Sequence, residues 1–94
     1  MTSLNELADR VEAATRCDNA LDVLCEVALF KPGTCYRAIR ANAAGTKVVY
    51  TDHTGNDVTC WAGGWTANRT RSLETAAALR SLASRGGGDG VSRA

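Results

Sequence analysis

The chain has 94 residues, of which 45% are hydrophobic and 22% charged, and its formal net charge is +1 at pH 7. This length suits one small domain, and the near-neutral total charge implies neither a nucleic-acid-binding protein nor a DNA mimic. No stretch approaches the roughly 20 apolar residues that span a bilayer, and the start lacks the features of a secretory signal, so we expect a cytoplasmic protein.

The first predicted element is an amphipathic helix that begins after Ser3. Ser3 and Glu6 have the spacing of a capping box, in which each side chain accepts a hydrogen bond from the backbone N–H of the other residue. Apolar residues then recur at helical spacing while charged residues face away. The pattern predicts an end near Thr15 or Arg16.

The second predicted helix, within Asp18–Phe30, is almost entirely apolar. Eight of its last ten residues are apolar, and only Asp22 and Glu26 interrupt them. These carboxylates are four residues apart, so on a helix they form one narrow ridge, which we expect to face solvent. Since every other direction is apolar, this helix should lie at the centre of the core, paired with the first helix as a hairpin.

Three short strands are predicted after the helix-stopping segment Lys31-Pro32-Gly33. Their bounds are Cys35–Ala41, Thr46–Asp52 and Asp57–Ala62. The four-residue loops between them, 42–45 and 53–56, each carry a glycine placed for positive φ, which is typical of antiparallel hairpins. Alternation of side chains predicts a helix-facing set, which comprises Val48, Tyr50, Val58, Cys60 and Ala62, and an opposite set, which comprises Lys47, Thr51, Thr59 and Trp61.

A last helix is predicted from a cap at Thr70 or Ser72 to Ser84. Its apolar line consists of Leu73, Ala76, Leu79 and Ala83, with Leu82 beside it. Residues 86–94 are glycine-rich and should form a flexible tail beyond a single domain of residues 1–85. The predicted fold is α+β in the order ααβββα, a three-stranded antiparallel meander packed against an N-terminal helical hairpin and a C-terminal helix.

Neither the cysteines nor the single histidine forms a recognisable reactive site. Cys17, Cys25, Cys35 and Cys60 include no CxxC pair, so no metal site is predicted, and we expect reduced, mostly buried thiols. His53 lies in a predicted turn, where no motif of a serine or cysteine nucleophile accompanies it. The sequence therefore predicts no enzyme, no catalytic residue, no cofactor, no small-molecule substrate and no membrane contact.

Charge is unevenly distributed along the chain. Residues 1–30 carry six acids and two bases, whereas residues 31–94 carry nine bases and four acids. This asymmetry predicts an acidic helical face formed by Glu6, Asp9, Glu12, Asp22 and Glu26. The plainer interpretation, which we favour over a functional patch, is a solvated surface of mixed charge.

The two tryptophans flank Gly63-Gly64 and have basic neighbours. The candidate partner-binding residues are Arg37, Lys47, Trp61, Trp65, Arg69 and Arg71. Tryptophan and arginine anchor many protein interfaces, and aromatic residues with bases also bind single-stranded nucleic acid. This patch forms if Trp61 lies on the sheet face away from the helices. The alternative, which we favour slightly for Trp61, packs that ring beneath the third helix, and the exposure of Trp65 is left open.

Residues 6–30, ELADRVEAATRCDNALDVLCEVALF, resemble small phage and prophage proteins of alphaproteobacterial type and the phage ABA sandwich group. The matching residues are Leu7, Glu12, Ala13, Ala14, Asp18, Leu21, Asp22, Ala28 and Leu29. The segment VTCWAGGW departs from the pattern of that group. The resemblance implies helices on both faces of a sheet.

In size, single-domain build and lack of an enzyme signature the chain is also similar to anti-CRISPR proteins, by analogy of class. The resulting hypothesis is a phage-derived inhibitor that acts in the host cytoplasm, binds a host CRISPR–Cas surveillance complex and blocks target DNA binding without catalysis. The alternative is a nucleic-acid-binding phage accessory protein. It would use Arg37, Arg40, Lys47, Arg69 and Arg71.

Overall fold

The computed structural model describes residues 3–85. Its six elements are α1 (Leu4–Ala13), α2 (Asn19–Ala28), β1 (Tyr36–Ala41), β2 (Val48–Asp52), β3 (Asp57–Cys60) and α3 (Arg69–Ser84). The predicted α+β class and the order ααβββα are confirmed. The predicted tail, residues 86–94, lies outside the described residues, so the domain boundary at residue 85 stays a prediction.

Helix α1 begins at the predicted capping box. Ser3 Oγ accepts a hydrogen bond from the N–H of Glu6 at 3.1 Å, and Glu6 Oε1 accepts one from the N–H of Ser3 at 3.0 Å. The helix ends at Ala13, earlier than predicted, because Ala14 already has an extended conformation with ψ 127°. The joint to α2 is therefore longer than the sequence pattern indicated.

Helix α2 lies between the other helices and the sheet. It contacts α1, α3, β1 and β2, whereas neither α1 nor α3 contacts a strand within residues 3–85. Asp18 caps its first turn by accepting from the N–H of Leu21 at 3.1 Å. The main core cluster joins the three helices and consists of Leu7, Ala8, Val11, Leu21, Cys25, Ala76 and Leu79. The predicted central position of this helix is thus confirmed, and among residues 3–85 it is the helix that covers the sheet.

The strands form an antiparallel meander in the order β1-β2-β3. Val49 of β2 lies opposite Arg40 of β1 and Thr59 of β3, and the register places every second residue on the same face. Gly45 and Gly55 have φ values of 71° and 94°, as the two hairpin loops require. The first loop comprises residues 42–47, because β2 begins two residues later than predicted.

Helix α3 starts earlier than predicted. Its cap is Asn68, whose Oδ1 accepts from the N–H of Arg71 at 2.8 Å, so the helix begins at Arg69 and the predicted caps Thr70 and Ser72 lie inside it. Asparagine is as good a cap as serine, and the polar stretch before the helix contained several candidates.

Helix α3 packs against α1, and the expectation that it would also cover the sheet is wrong. Its buried stripe consists of Leu79 and four small residues, Ser72, Thr75, Ala76 and Ala83, which allow close approach of the two helices. Arg80 also bridges the helices, 2.7 Å from Asp9 and 2.6 Å from Glu12. Leu73, predicted on the apolar line, is 43% exposed. In the part of the chain described, the helices lie on one face of the sheet only, unlike the arrangement that the resemblance implied.

The four cysteines are free and differ in exposure. Cys25 is buried and Cys60 half-buried, whereas Cys17 and Cys35 are exposed, so the expectation of mostly buried thiols is wrong. Cys17 and Cys35 lie in connections between elements, which run over the surface. Burial, with the nearby carboxylates adding to it, raises the pKa of Cys25 to about 12 and keeps that thiol protonated.

None of the helices in residues 3–85 has the length and apolar character to cross a membrane.

Candidate functional site

Glu26 ties the connection between β3 and α3, residues 61–68, to the central helix. Its Oε1 accepts from the N–H of Gly63 at 3.1 Å and from Nε1 of Trp65 at 2.6 Å, and its Oε2 accepts from the hydroxyl of Tyr50. A Cβ added at Gly63 would lie 3.3 Å from Glu26 Oε1 and 3.5 Å from Trp65 Nε1. Glycine at this position therefore allows the backbone to approach the carboxylate.

The hydrogen bonds to Glu26 have an electrostatic consequence. Burial alone would raise its pKa, but the bonds from Tyr50, Trp65 and Gly63 outweigh burial and hold the pKa of Glu26 below its usual value. Burial and the bond to Glu26 raise the pKa of Tyr50, which therefore stays a protonated donor.

We expect acidification to weaken the fold through Glu26. Because the folded-state pKa lies below the unfolded value, its stabilisation is fully present above about pH 4.5 and is lost as pH falls through the folded pKa. Glu26→Gln cannot titrate, so it should flatten this part of the dependence of the free energy of unfolding on pH. Urea denaturation between about pH 3 and pH 7 measures it, with exposed Glu74→Gln as the control; an unchanged pH profile for Glu26→Gln would contradict this role.

Asp22 makes the second attachment of the same connection. Its Oδ1 accepts from both the N–H and the hydroxyl of Thr66, each at 2.8 Å, and the hydroxyl in turn accepts from the N–H of Asp18 at 2.8 Å. Asp22 is 5% exposed and Thr66 only 1%. The expectation that Asp22 and Glu26 form the solvent-facing side of α2 is therefore wrong, because residues 61–68 cross this ridge and supply its hydrogen-bond donors.

The predicted acidic face is reduced to α1. Glu6 is exposed and takes part in the capping box, and Asp9 and Glu12 both pair with Arg80. The two carboxylates of α2 are occupied inside the molecule, as described above. What remains is a mixed surface in which a cation lies between two of the three acids, close to the plainer interpretation.

The sheet face turned away from α2, here called the open face, carries two of the six predicted partner-binding residues, Lys47 and Trp61. The strand register and alternation place on it Ala38, Arg40, Lys47, Val49, Thr51, Asp57, Thr59 and Trp61. No helix packs on this face among residues 3–85. Val49 and Thr51 are nevertheless only 7% and 8% exposed, so their long neighbours must cover them.

Trp61 projects from the open face and is 66% exposed. The favoured alternative, that it packs beneath the third helix, is wrong because α3 packs on α1. Lys47 and Trp61 occupy the next cross-strand position beyond the pair Val48 and Cys60, and Lys47 Nζ lies 4.6 Å from the centroid of the indole ring. This is a cation–π contact at the surface, so the ring and the charge are presented together.

Arg40 and Asp57 form an ion pair at 2.8 Å beside Trp61's strand, and Thr51 donates to Asp57 at 2.7 Å. The hydrogen bonds from Arg40 and Thr51, with the charges of Arg40 and Arg37 adding to them, hold the pKa of Asp57 below its usual value. Arg37 donates from Nε to the carbonyl of Asp52 at 3.1 Å, at the irregular position of β1. The sequence analysis missed Thr51 and Asp57 as site residues, although strand alternation was the signal that could have found them.

The other three predicted residues lie elsewhere. Arg69 donates to the carbonyl of Glu12 and, at 3.1 Å, to that of Ala14, so it caps the C-terminal end of α1. Trp65 is half-buried against the core cluster, and the guanidinium of Arg71 lies 4.8 Å from its ring. The structure thus groups Lys47 and Trp61 and separates them from Arg69, Trp65 and Arg71, whereas Arg37 lies at the other end of the sheet, beside Asp52.

Neither the histidine nor any acidic cluster adds a reactive centre to this description. His53 is exposed and its Nε2 donates to the carbonyl of Gly33 at 2.7 Å. Within residues 3–85 no three side chains are arranged to hold a metal ion.

Comparison of the chain with protein-family models, curated proteins and solved structures found no match. The resemblance of residues 6–30 to small phage proteins therefore stays a prediction.

Proposed function

We propose that this protein acts by binding, without catalysis, and that its open face docks on an acidic protein surface of a host CRISPR–Cas surveillance complex and so keeps target DNA out. The observation that carries the docking surface is the exposed ring of Trp61 beneath the ammonium of Lys47. The choice of partner rests on the resemblance of residues 6–30 and on the analogy with anti-CRISPR proteins.

Trp61 offers the largest apolar area on this face. Covering the two-thirds of its ring that water reaches would contribute roughly 3 kcal/mol to association. A tryptophan held by a neighbour also loses little conformational entropy on binding, and Lys47 already restrains this one. These properties are those of an interface hot spot.

Charge on the open face favours an acidic partner. Arg40 and Lys47 contribute two positive charges to this face and Arg37 adds a third at the irregular edge position of β1, while Asp57 is the acid in the set of residues assigned to the face. Since Asp57 is paired with Arg40, the charges of Arg37 and Lys47 are left to complement a partner. Lys47 is half-buried and Arg37 exposed, so both remain in contact with solvent at the rim of the face.

Trp61→Ala is expected to weaken inhibition about 30-fold, because loss of a hot-spot residue costs about 2 kcal/mol. The measurement is an electrophoretic mobility shift of labelled target DNA by purified, guide-loaded surveillance complexes titrated with the protein. Leu73→Ala is the matched control, since Leu73 is also an exposed apolar residue but lies on α3. Lys47→Glu should weaken inhibition as well, whereas Arg16→Glu should not.

Two outcomes would overturn the proposal in different ways. Undisturbed DNA binding by every type of surveillance complex at a large excess of the protein would remove the partner. Equal inhibition by Trp61→Ala and the unchanged chain would keep the partner and remove the open face as the contact surface.

The contact of Lys47 with Trp61 also favours a second candidate, binding of single-stranded nucleic acid, since bases stack on exposed rings beside cations. Arg69 caps α1 and Arg40 is paired with Asp57, which leaves few bases for phosphates. We therefore expect weak affinity for single-stranded DNA at physiological salt. Tight binding with a steep dependence on salt would favour this candidate instead.

A further inference from the structure

A groove of about 410 Å³ is lined by residues that are not part of the open face. It is bounded by the end of α2, the last turns of α3 and the ring of Trp65. Its apolar walls include Leu29, Phe30 and Leu82. The volume falls within the range of roughly 300–1,000 Å³ that is typical of small-molecule sites, whose walls are also mainly apolar.

Two cations stand at the rim of this groove. Lys31 and Arg85 both line it, and neither has a carboxylate partner among residues 3–85. Arg85 donates from its guanidinium to Ser81 Oγ at 3.1 Å, and Ser81 is itself a lining residue, so the guanidinium is held at the groove. The dipoles of α2 and α3 place about half a negative charge at the C-terminal end of each helix, near the groove. The two full positive charges of Lys31 and Arg85 outweigh them.

From this arrangement we propose that the groove binds a small aliphatic carboxylate, with the hydrocarbon chain against Leu29, Phe30 and Leu82 and the carboxylate between Lys31 and Arg85. Apolar walls supply affinity for the chain by removing it from water. The two cations supply preference for the acid, since each forms a charge-assisted hydrogen bond that an alcohol of the same length cannot match. The site is independent of the proposed function, because it shares no residue with the open face.

The probe is decanoate, with decanol as the uncharged analogue of equal chain length. Binding is followed on the full-length protein through the ¹H–¹⁵N signal of the Trp65 indole, because Trp65 lines the groove and Trp61 does not. We expect the dissociation constant of decanoate, measured from the shift of the Trp65 signal, to be at least tenfold lower than that of decanol. Lys31→Glu and Arg85→Glu should each lower decanoate affinity about tenfold, whereas Arg16→Glu, the matched charge reversal at another exposed site, should not.

Leu82→Glu should abolish binding of both compounds, since it replaces part of the apolar wall with a charge, which for decanoate also has the same sign as the ligand. Equal affinity for decanoate and decanol, or charge reversals at the rim that leave decanoate affinity intact, would overturn the carboxylate assignment. An unmoved Trp65 signal at saturating decanoate would overturn the site altogether, and this test needs only the unchanged chain. Because Trp61→Ala touches none of these contacts, failure here and failure of the docking proposal are distinguishable.

Discussion

Replacing Asp22 with alanine is expected to lower the free energy of unfolding by about 3 kcal/mol. Both donors of Thr66 point at the lost carboxylate, and Thr66 is 1% exposed, so water does not replace the acceptor. The hydroxyl can turn to the carbonyl of Asp18, 3.3 Å away, but the N–H loses its partner. The free energy of unfolding of a domain of this size is roughly 5–10 kcal/mol in total. Urea denaturation should therefore show a large shift of the midpoint.

Two variants make the Asp22 result specific. Asp22→Asn keeps one oxygen acceptor and should lose only about 1 kcal/mol. Glu74→Ala removes an exposed acid from α3 and should stay within about 0.5 kcal/mol of the unchanged protein. An Asp22→Ala protein as stable as the Glu74→Ala protein would mean that the connection between β3 and α3 is not held by this carboxylate.

Leu79→Ala is expected to cost about 3 kcal/mol as well, for a different reason. Leu79 is fully buried in the cluster where the three helices meet, so truncation loses apolar burial and leaves a cavity. Leu73→Ala, on the same helix, should cost less than about 1 kcal/mol because Leu73 is 43% exposed. Thermal or urea denaturation of the two variants side by side gives the comparison.

The pair of leucines also tests where α3 lies. If α3 lay on the sheet, Leu73 would be covered and its truncation would cost as much as that of Leu79. Similar losses for both variants would therefore contradict the packing of α3 on α1, whereas a difference of about 2 kcal/mol supports it.

The open face shows which side-chain positions a sequence pattern predicts and which it does not. Alternation alone places Lys47 and Trp61 on one face, and the distance of 4.6 Å between the Lys47 ammonium and the Trp61 ring confirms it. Arg69 and Arg71 were grouped with them because they follow the tryptophans closely in sequence. The chain turns between Gly63 and Thr66 around α2, so closeness in sequence did not become closeness in space.

The sequence alone determined the features that depend on a few neighbouring residues. The capping box of Ser3 and Glu6, the positive φ of Gly45 and Gly55 and the two faces of the strands follow from interactions across two to four positions. The order ααβββα and the central position of α2 follow from the same local patterns.

The tertiary structure decided what becomes of the polar groups and of the last helix. Asp22 and Glu26 meet donors that lie 44, 39, 37 and 24 residues away, and a pattern of apolar and polar positions holds no information about partners so distant. Helix α3 could have laid its small residues on the sheet or on α1, and Arg80 reaches Asp9 and Glu12 only on α1. That choice left the sheet uncovered on one side and exposed Trp61, because a helix with one narrow apolar stripe can pack against only one of the two surfaces.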